Sequence, residues 1–268
     1  MTRAAPGVVP FQVAPDVFCL GPHGRSQTNV YVVHDGTSWA LVDAGWERDA
    51  PRINAAVRRL LGPGVAPSVI LLTHVHPDHA GSARALARAW GCRVLVHPAE
   101  RSIATGDVAA MAAYAGPLDH WAILPMMRAL GRRRRDEILA RGSLADVVDV
   151  LAPHGLVPGL TSWRWIATPG HTPGHVSYLR RDDRIHITGD ALLTLKVNAW
   201  DGLLLGRPGL SGPPWYTTWD GAAAQEAIED IAASEPSVIA PGHGWPLAGS
   251  GVADAVRQFA VARRTAAD

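Results

Sequence analysis

Four potential metal donors stand within six residues of this chain: His74, His76, Asp78 and His79. They follow the apolar segment 68–72, which has the pattern of a buried strand, and precede a helical pattern at 82–90. Side chains two residues apart on an extended backbone point the same way, so His74 and His76 face one point. Asp78 and His79 follow the bend at Pro77 and face a second point. The spacing therefore indicates two adjacent metal ions.

Further donors occur where predicted strands give way to glycine-containing loops: His171, Asp190 and His243. Glycine lets the backbone bend sharply around an ion. With the first run, these residues make five histidines and two aspartates, enough donors for two metals. His175 lies inside the following strand, so we expect it to be structural or to support a ligand. Asp43, at another strand end, is either a turn former or a hydrogen-bond partner of a ligand.

Strand and helix patterns alternate in two successive halves of the chain. This arrangement predicts an α/β protein in which two sheets pack together with helices outside, and 268 residues favour a single domain spanning 1–268. Between the halves, about 99–160 has helical spacing without a strand signal, which predicts a helical insertion capping the site. Residues 191–216 are expected to form one long loop rich in glycine and proline.

Composition favours a small-molecule substrate over a nucleic-acid or membrane partner. The formal charge of +1 favours neither nucleic acid nor an anionic membrane, and no stretch has the length of a membrane span. The arginines at 132–135 precede Asp136 and Glu137, so a solvated helix face is favoured over RNA contact. Two cysteines and the absence of a long apolar stretch at the start predict free thiols and a cytoplasmic protein. The methionine-rich part of the insertion is interpreted as core packing, a pocket wall or a homodimer contact.

The pattern His74-x-His76-x-Asp78-His79 with His171, Asp190 and His243 resembles the metallo-β-lactamase superfamily of metal-dependent hydrolases. The resemblance extends from Asp43 to His243 and implies a four-layer αββα sandwich with metals at one edge. It implies that one metal is bound by His74, His76 and His171. It also implies that the second is bound by Asp78, His79 and His243, and that Asp190 bridges the two. The cofactor is expected to be two divalent ions, zinc first, with iron or manganese as alternatives.

The resemblance implies hydrolysis of a small-molecule acyl bond by a hydroxide that bridges the metals, with Asp78 and Asp190 as catalytic residues. An ester or lactone is the first expected substrate and a thioester the second. Glutathione-thioester hydrolases and mono-iron persulfide dioxygenases usually carry Gly-Cys-Gly-Lys/Arg after the bridging aspartate, and residues 191–198 lack it. Lactonases of this superfamily carry a tyrosine soon after the bridging aspartate, and this chain has none at that position. Tyr114 and Tyr216 are the candidates to reach the site instead. The alternatives are a mono-iron oxidoreductase of the persulfide-dioxygenase type, a β-lactamase and a non-catalytic ligand sensor.

Overall fold

The structure is a computed structural model that describes residues 9–267. In its first sheet, neighbouring strands are also consecutive along the chain. Within that range the sheet contains β1 (Phe11–Ala14), β2 (Val17–Cys19), β3 (Tyr31–Asp35), β4 (Ser38–Val42), β5 (Val69–Leu71), β6 (Arg93–Val96) and β7 (Val148–Val150). Strands β1 to β4 are antiparallel, and β4 to β7 are parallel. The parallel strand β5 is an unbroken apolar run, as expected for a strand covered on both faces.

A second sheet and a small hairpin come from the other half of the chain. The later strands of the described range are β8 (Trp163–Ala167), β9 (Val176–Arg180), β10 (Ile185–Gly189), β11 (Leu193–Leu195), β12 (Pro208–Ser211), β13 (Val238–Pro241) and β14 (Leu247–Ala248). The second sheet has the order β14-β13-β10-β9-β8, and β11 pairs with β12. Of the neighbouring pairs of described strands in the second sheet, β10 with β13 is parallel and the others are antiparallel.

The helices lie between these strands. In the described part of the chain they are α1 (Ala50–Leu61), α2 (Pro77–Ala80), α3 (Ala83–Trp90), α4 (Arg101–Ala104), α5 (Val108–Ala113), α6 (Leu124–Ala129), α7 (Arg132–Gly142), α8 (Trp200–Leu205), α9 (Gly221–Ala233) and α10 (Val252–Ala267). Short 3₁₀ turns occur at Pro98–Glu100 and Trp215–Thr217, and a π-helical turn at Asp119–Ile123. No helix between residues 9 and 267 has the length and hydrophobicity needed to span a bilayer.

Three apolar clusters define four layers. The central cluster lies between the two sheets and includes Val42 and Leu71 from the first and Tyr178 and Ile187 from the second. A second cluster joins the first sheet to α1 and α3, and a third joins the second sheet to α9 and α10. Burial of apolar side chains on both faces of each sheet holds the layers together. The predicted αββα sandwich is confirmed.

Two parts of the chain differ from the expected elements. The range 99–160 is mostly helical, but it also contains β7, which completes the parallel half of the first sheet beside β6. The insertion is therefore the segment 97–147, between β6 and β7. The expected loop at 191–216 contains the β11–β12 hairpin and α8. These strands have only three or four residues, too few for a period-2 pattern to be read.

Burial of His186 on β10 makes the free energy of unfolding depend on pH. Burial lowers the pKa of this imidazole from 6.5 to about 4, and its Nδ1 has no hydrogen-bond partner among the described residues. The unfolded chain takes up a proton below pH 6.5 and the folded chain does not until about pH 4, so stability falls as the pH falls between them.

We expect the wild-type protein to lose about 2 kcal/mol more stability than His186→Gln between pH 7 and pH 5. Urea unfolding at the two pH values measures this difference. His120→Gln is the control because His120 is exposed in the insertion. Equal pH dependence in wild type and His186→Gln would contradict the prediction.

Candidate metal centre

The predicted donors meet at one edge of the sandwich because each follows the carboxyl end of a strand. Residues 74–79 follow β5, and His171 follows β8. Asp190 follows β10 directly, and His243 lies two residues beyond β13. Strands β8, β10 and β13 run in the same direction in the second sheet, so their ends fall at the same edge. The structure brings all seven residues together.

Among the described residues the donors form three overlapping groups, and the group of His74, His79 and Asp190 joins the other two. The first donor set is His74, His76 and His171, and the second donor set is Asp78, His79 and His243. In each set the possible ligand atoms lie within 4.8 Å of one another. In the first set, His76 Nδ1 lies 3.0 Å from His171 Nε2. In the second, His243 Nε2 lies 3.3 Å from both His79 Nε2 and Asp78 Oδ2.

The Asp190 carboxylate lies between the two sets. Its Oδ2 is 3.4 Å from Nε2 of His171 in the first set and 3.4 Å from Nε2 of His243 in the second. Its Oδ1 is 3.3 Å from His79 Nε2, without hydrogen-bond geometry. The position suits a carboxylate that contacts two ions at once, which is the role that the family resemblance implies.

Hydrogen bonds on the far side of the rings orient the donors. Asp43 Oδ2 lies 2.9 Å from His79 Nδ1, and Asp43 also accepts the Thr73 hydroxyl hydrogen at 3.0 Å. Because that hydroxyl donates to Asp43, it accepts from His74 Nδ1, 3.0 Å away. Each histidine therefore directs Nε2 toward the other donors, as metal-binding histidines do. Of the two interpretations of Asp43, the structure favours the ligand partner over a plain turn former.

His243 and His171 are held in a similar way by loop residues. His243 Nδ1 lies 2.8 Å from the backbone carbonyl of Ser26, which only accepts. The Thr218 hydroxyl donates to Pro214 O at 2.7 Å and so accepts from His171 Nδ1, at 3.4 Å. Both rings therefore also present Nε2 to the centre.

The charges of the centre attract a cation. Burial lowers the pKa of His74 and His171 well below 6.5, so both imidazoles are neutral and able to act as ligands. Burial also opposes the charge on His243, but Asp190 and Asp78 outweigh it and raise its pKa to about 10. Burial is likewise outweighed at Asp190, where His243 and His79 hold the pKa well below its usual value. The carboxylates thus concentrate positive charge, as protons or metal, on the second donor set.

The donor chemistry fits divalent ions. Imidazole and carboxylate are ligands of zinc, iron and manganese. The buried Nε2 of His74 has no hydrogen-bond partner among the described residues, a costly arrangement that a metal ligand bond would relieve. The residues present therefore fit a pair of divalent cations.

His175 has a different position from the seven donors. Its Nε2 accepts the backbone N–H of Asp190 at 3.0 Å, and its Nδ1 lies 2.8 Å from Thr168 Oγ1. Both nitrogens are occupied, and burial lowers the pKa of the ring to about 3. His175 thus supports the loop that carries Asp190, in agreement with the sequence prediction.

We expect His175→Ala to keep nearly the full metal content while losing about 1–3 kcal/mol of stability, because a buried N–H loses its acceptor. Elemental analysis and urea unfolding measure the two quantities. Metal loss as large as in His76→Ala would contradict this assignment.

Sequence reasoning missed several supporting residues. Ser26 contacts His243 through its backbone carbonyl oxygen, and Thr218 contacts His171 through its hydroxyl oxygen. Single contacts of this kind from loops leave no recognisable sequence pattern. Glu100 is a fully buried carboxylate next to the centre, placed by sequence only within the helical insertion. Its one signal is that it follows β6 by four residues, beyond the same end of the parallel strands as Asp43, which follows β4 directly.

Fold and site together define the class of the protein. An αββα sandwich with two touching sets of histidine and aspartate donors at one edge is a metal-binding α/β architecture. The sequence matches the family described as the Metallo-beta-lactamase superfamily over residues 23–243. The chain belongs to this superfamily.

Known proteins with similar sequences and folds agree with this membership. "Probable metallo-hydrolase YflN" of Bacillus subtilis is 33% identical over 236 residues, which cover 85% of this chain and 86% of that protein. A hydroxyacylglutathione hydrolase of Bradyrhizobium sp. is 28% identical over 183 residues, 65% of this chain and 55% of that one. A beta-lactamase domain protein from Burkholderia ambifaria has the same fold, with a TM-score of 0.66, 21% identity and coverage of 98% and 78%. At the level of the family, the chain is a metal-dependent hydrolase.

Proposed function

We propose that this protein hydrolyses a small-molecule ester or lactone at a centre of two divalent cations, with zinc the expected metal. The first donor set would bind one cation, the second donor set the other, and Asp190 would contact both. The observation that carries the proposal is the Asp190 carboxylate, which lies 3.4 Å from a histidine of each set. When bound, the cations polarise the acyl carbonyl and make a water molecule acidic enough to attack near neutral pH.

We propose that Asp78 orients the attacking water. Its side chain is 18% exposed, against 4% for Asp190, so Asp78 is the more accessible of the two carboxylates to water. Burial disfavours its charge, but His79 and His243 outweigh burial and hold its pKa well below the usual range. An ionised carboxylate accepts a hydrogen bond from water and holds it toward the substrate.

Tyr216 is the candidate donor to the substrate oxygen. Burial, together with the charges of Asp190 and Asp78, raises the pKa of this phenol, so it stays protonated. Its hydroxyl makes no hydrogen bond within residues 9–267. The 3₁₀ turn that carries it is followed by Thr218, which contacts His171. We expect the phenol to donate to the acyl or leaving oxygen.

An aromatic rim beside the first donor set supports an apolar acyl group. Trp219 donates its backbone N–H to His171 O at 3.3 Å, and Tyr114 of the insertion packs edge to face on its indole, with centroids 5.3 Å apart. The insertion also packs tightly on the Tyr216 turn, since a Cβ at Gly116 would lie 2.6 Å from Thr217 C. Aromatic walls of this kind bind the apolar part of a ligand.

Initial-rate hydrolysis by the zinc-loaded protein tests the proposal. The panel is an acyl-homoserine lactone, an aryl ester, a glutathione thioester, a cephalosporin and a phosphodiester, with Asp190→Ala as the background control. We expect turnover of the lactone or the ester. Silence on both, with two zinc ions bound, would overturn the substrate proposal.

Thioester hydrolysis is the second candidate. The similarity to a hydroxyacylglutathione hydrolase favours it, although only 55% of that protein is covered. Turnover of the glutathione thioester alone would select this candidate.

A further inference from the structure

Glu100 is a carboxylate buried with 0% exposure at the base of the insertion. It ends the 3₁₀ turn Pro98–Glu100 and immediately precedes α4. A buried carboxylate is costly unless hydrogen bonds compensate for the water it has lost. The partners of Glu100 therefore indicate why the side chain is there.

Its two oxygens bind two different loops of the centre. Oε2 accepts the backbone N–H of Val75 at 3.2 Å, and Oε1 accepts the backbone N–H of Gly174 at 2.9 Å. Val75 lies between His74 and His76, and Gly174 lies three residues after His171. One side chain thus connects the two loops that carry the whole first donor set.

Gly174 shows how closely the second loop approaches Glu100. A Cβ at this position would lie 2.8 Å from Glu100 Cγ, 2.9 Å from His97 Nδ1 and 3.0 Å from Glu100 N. These distances are shorter than side chains tolerate, so the contact itself requires glycine here.

We propose that Glu100 is a positioning residue that fixes the separation of the two loops and thereby the geometry of the first donor set. The role rests on the metal centre of the proposed function. The second donor set depends on other partners, because Asp43 holds His79 and the Ser26 carbonyl holds His243. Glu100 therefore acts on one of the two metal positions.

The proposal predicts a selective effect of Glu100→Gln. Glutamine has one carbonyl oxygen and would present an NH₂ group to the other backbone N–H, so one loop loses its acceptor. We expect one zinc equivalent to bind about 10–100-fold more weakly and the other to bind as in wild type. Competition with a chromophoric chelator measures both affinities. Zinc-edge anomalous scattering then identifies the weakened position as the first donor set.

Two further variants make the experiment decisive. Asp35→Asn is the matched control, since the Asp35 carboxylate accepts the Ser162 N–H at 2.7 Å in a loop that carries no donor. It is expected to lower stability and leave both zinc affinities unchanged. Gly174→Ala keeps the carboxylate but displaces the loop, and it should weaken the first position in the same way as Glu100→Gln.

The zinc measurements can overturn the proposal in two ways. Glu100→Gln and Gly174→Ala could behave like Asp35→Asn, with lower stability and both zinc affinities intact, which would reduce Glu100 to a structural residue. Equal weakening of both positions would show that it does not act on the first donor set alone, which contradicts the proposal. Because the readout is metal occupancy, inactivity toward every ester or lactone would leave the result valid.

Discussion

Replacing Asp190 with alanine is expected to remove zinc from both positions and to abolish hydrolysis. Its carboxylate lies within 3.4 Å of His171 in one set and of His79 and His243 in the other. Without it, each bound cation would lose a ligand and the negative charge held between the two donor sets. Loss of a hydrogen-bond partner behind a metal ligand lowers metal affinity about 10–100-fold. We expect the loss of Asp190 itself to lower zinc affinity by more than that.

Elemental analysis after dialysis, followed by rate measurements, tests the effect of Asp190→Ala. Asp183→Ala is the control, because Asp183 pairs with Arg180 at the turn between β9 and β10, away from the donors. Circular dichroism verifies that both variants are folded. An Asp190→Ala protein that retains two zinc ions would show that this carboxylate does not join the two positions.

Gly242→Ala is expected to disrupt the centre although every donor remains. A Cβ at Gly242 would collide with Asp190 Oδ1 and would lie 2.9 Å from His79 Cε1 and 3.0 Å from Gly189 C. Its backbone N–H also donates to Gly189 O at 2.7 Å, which ties the loop to the end of β10. The methyl group must displace Asp190 or separate the two loops, and either movement breaks the spacing of the donors.

We expect Gly242→Ala to lower zinc affinity more than about tenfold. This is comparable to the effect of removing a hydrogen-bond partner of a metal ligand. Gly221→Ala is the matched control, because a Cβ at Gly221 would meet no described heavy atom within 4 Å beyond its chain neighbours and its own helix backbone. Isothermal titration with zinc compares the two variants. Equal zinc affinity in both would mean that the loop can adapt and that the close packing around Asp190 is not required.

The donor residues were the part of the site most accessible from sequence. Histidines and aspartates placed after strands converge because the strand ends share one edge of the sandwich, so local spacing predicted a nonlocal cluster. His175 was predicted to lie inside the following strand and to be no direct ligand. In the structure it lies in the loop just before β9, with its Nε2 bound to the Asp190 backbone N–H.

The supporting contacts were less accessible, for physical reasons. The role of Glu100 depends on two backbone N–H groups 25 and 74 residues away in sequence, and no local pattern encodes such a pairing. Strand β7 has three residues, and pairing with β6 rather than its own propensity holds it in place. The αββα layering was predictable because strands and helices alternate, whereas short elements depend on tertiary contacts.

Anomalous scattering at the zinc edge from a crystal of the zinc-loaded protein is the most direct test of a two-metal centre. We expect two peaks, one against His74, His76 and His171 and the other against Asp78, His79 and His243, with Asp190 between them. A single peak, or zinc bound elsewhere on the chain, would contradict a two-metal centre at this edge of the sandwich.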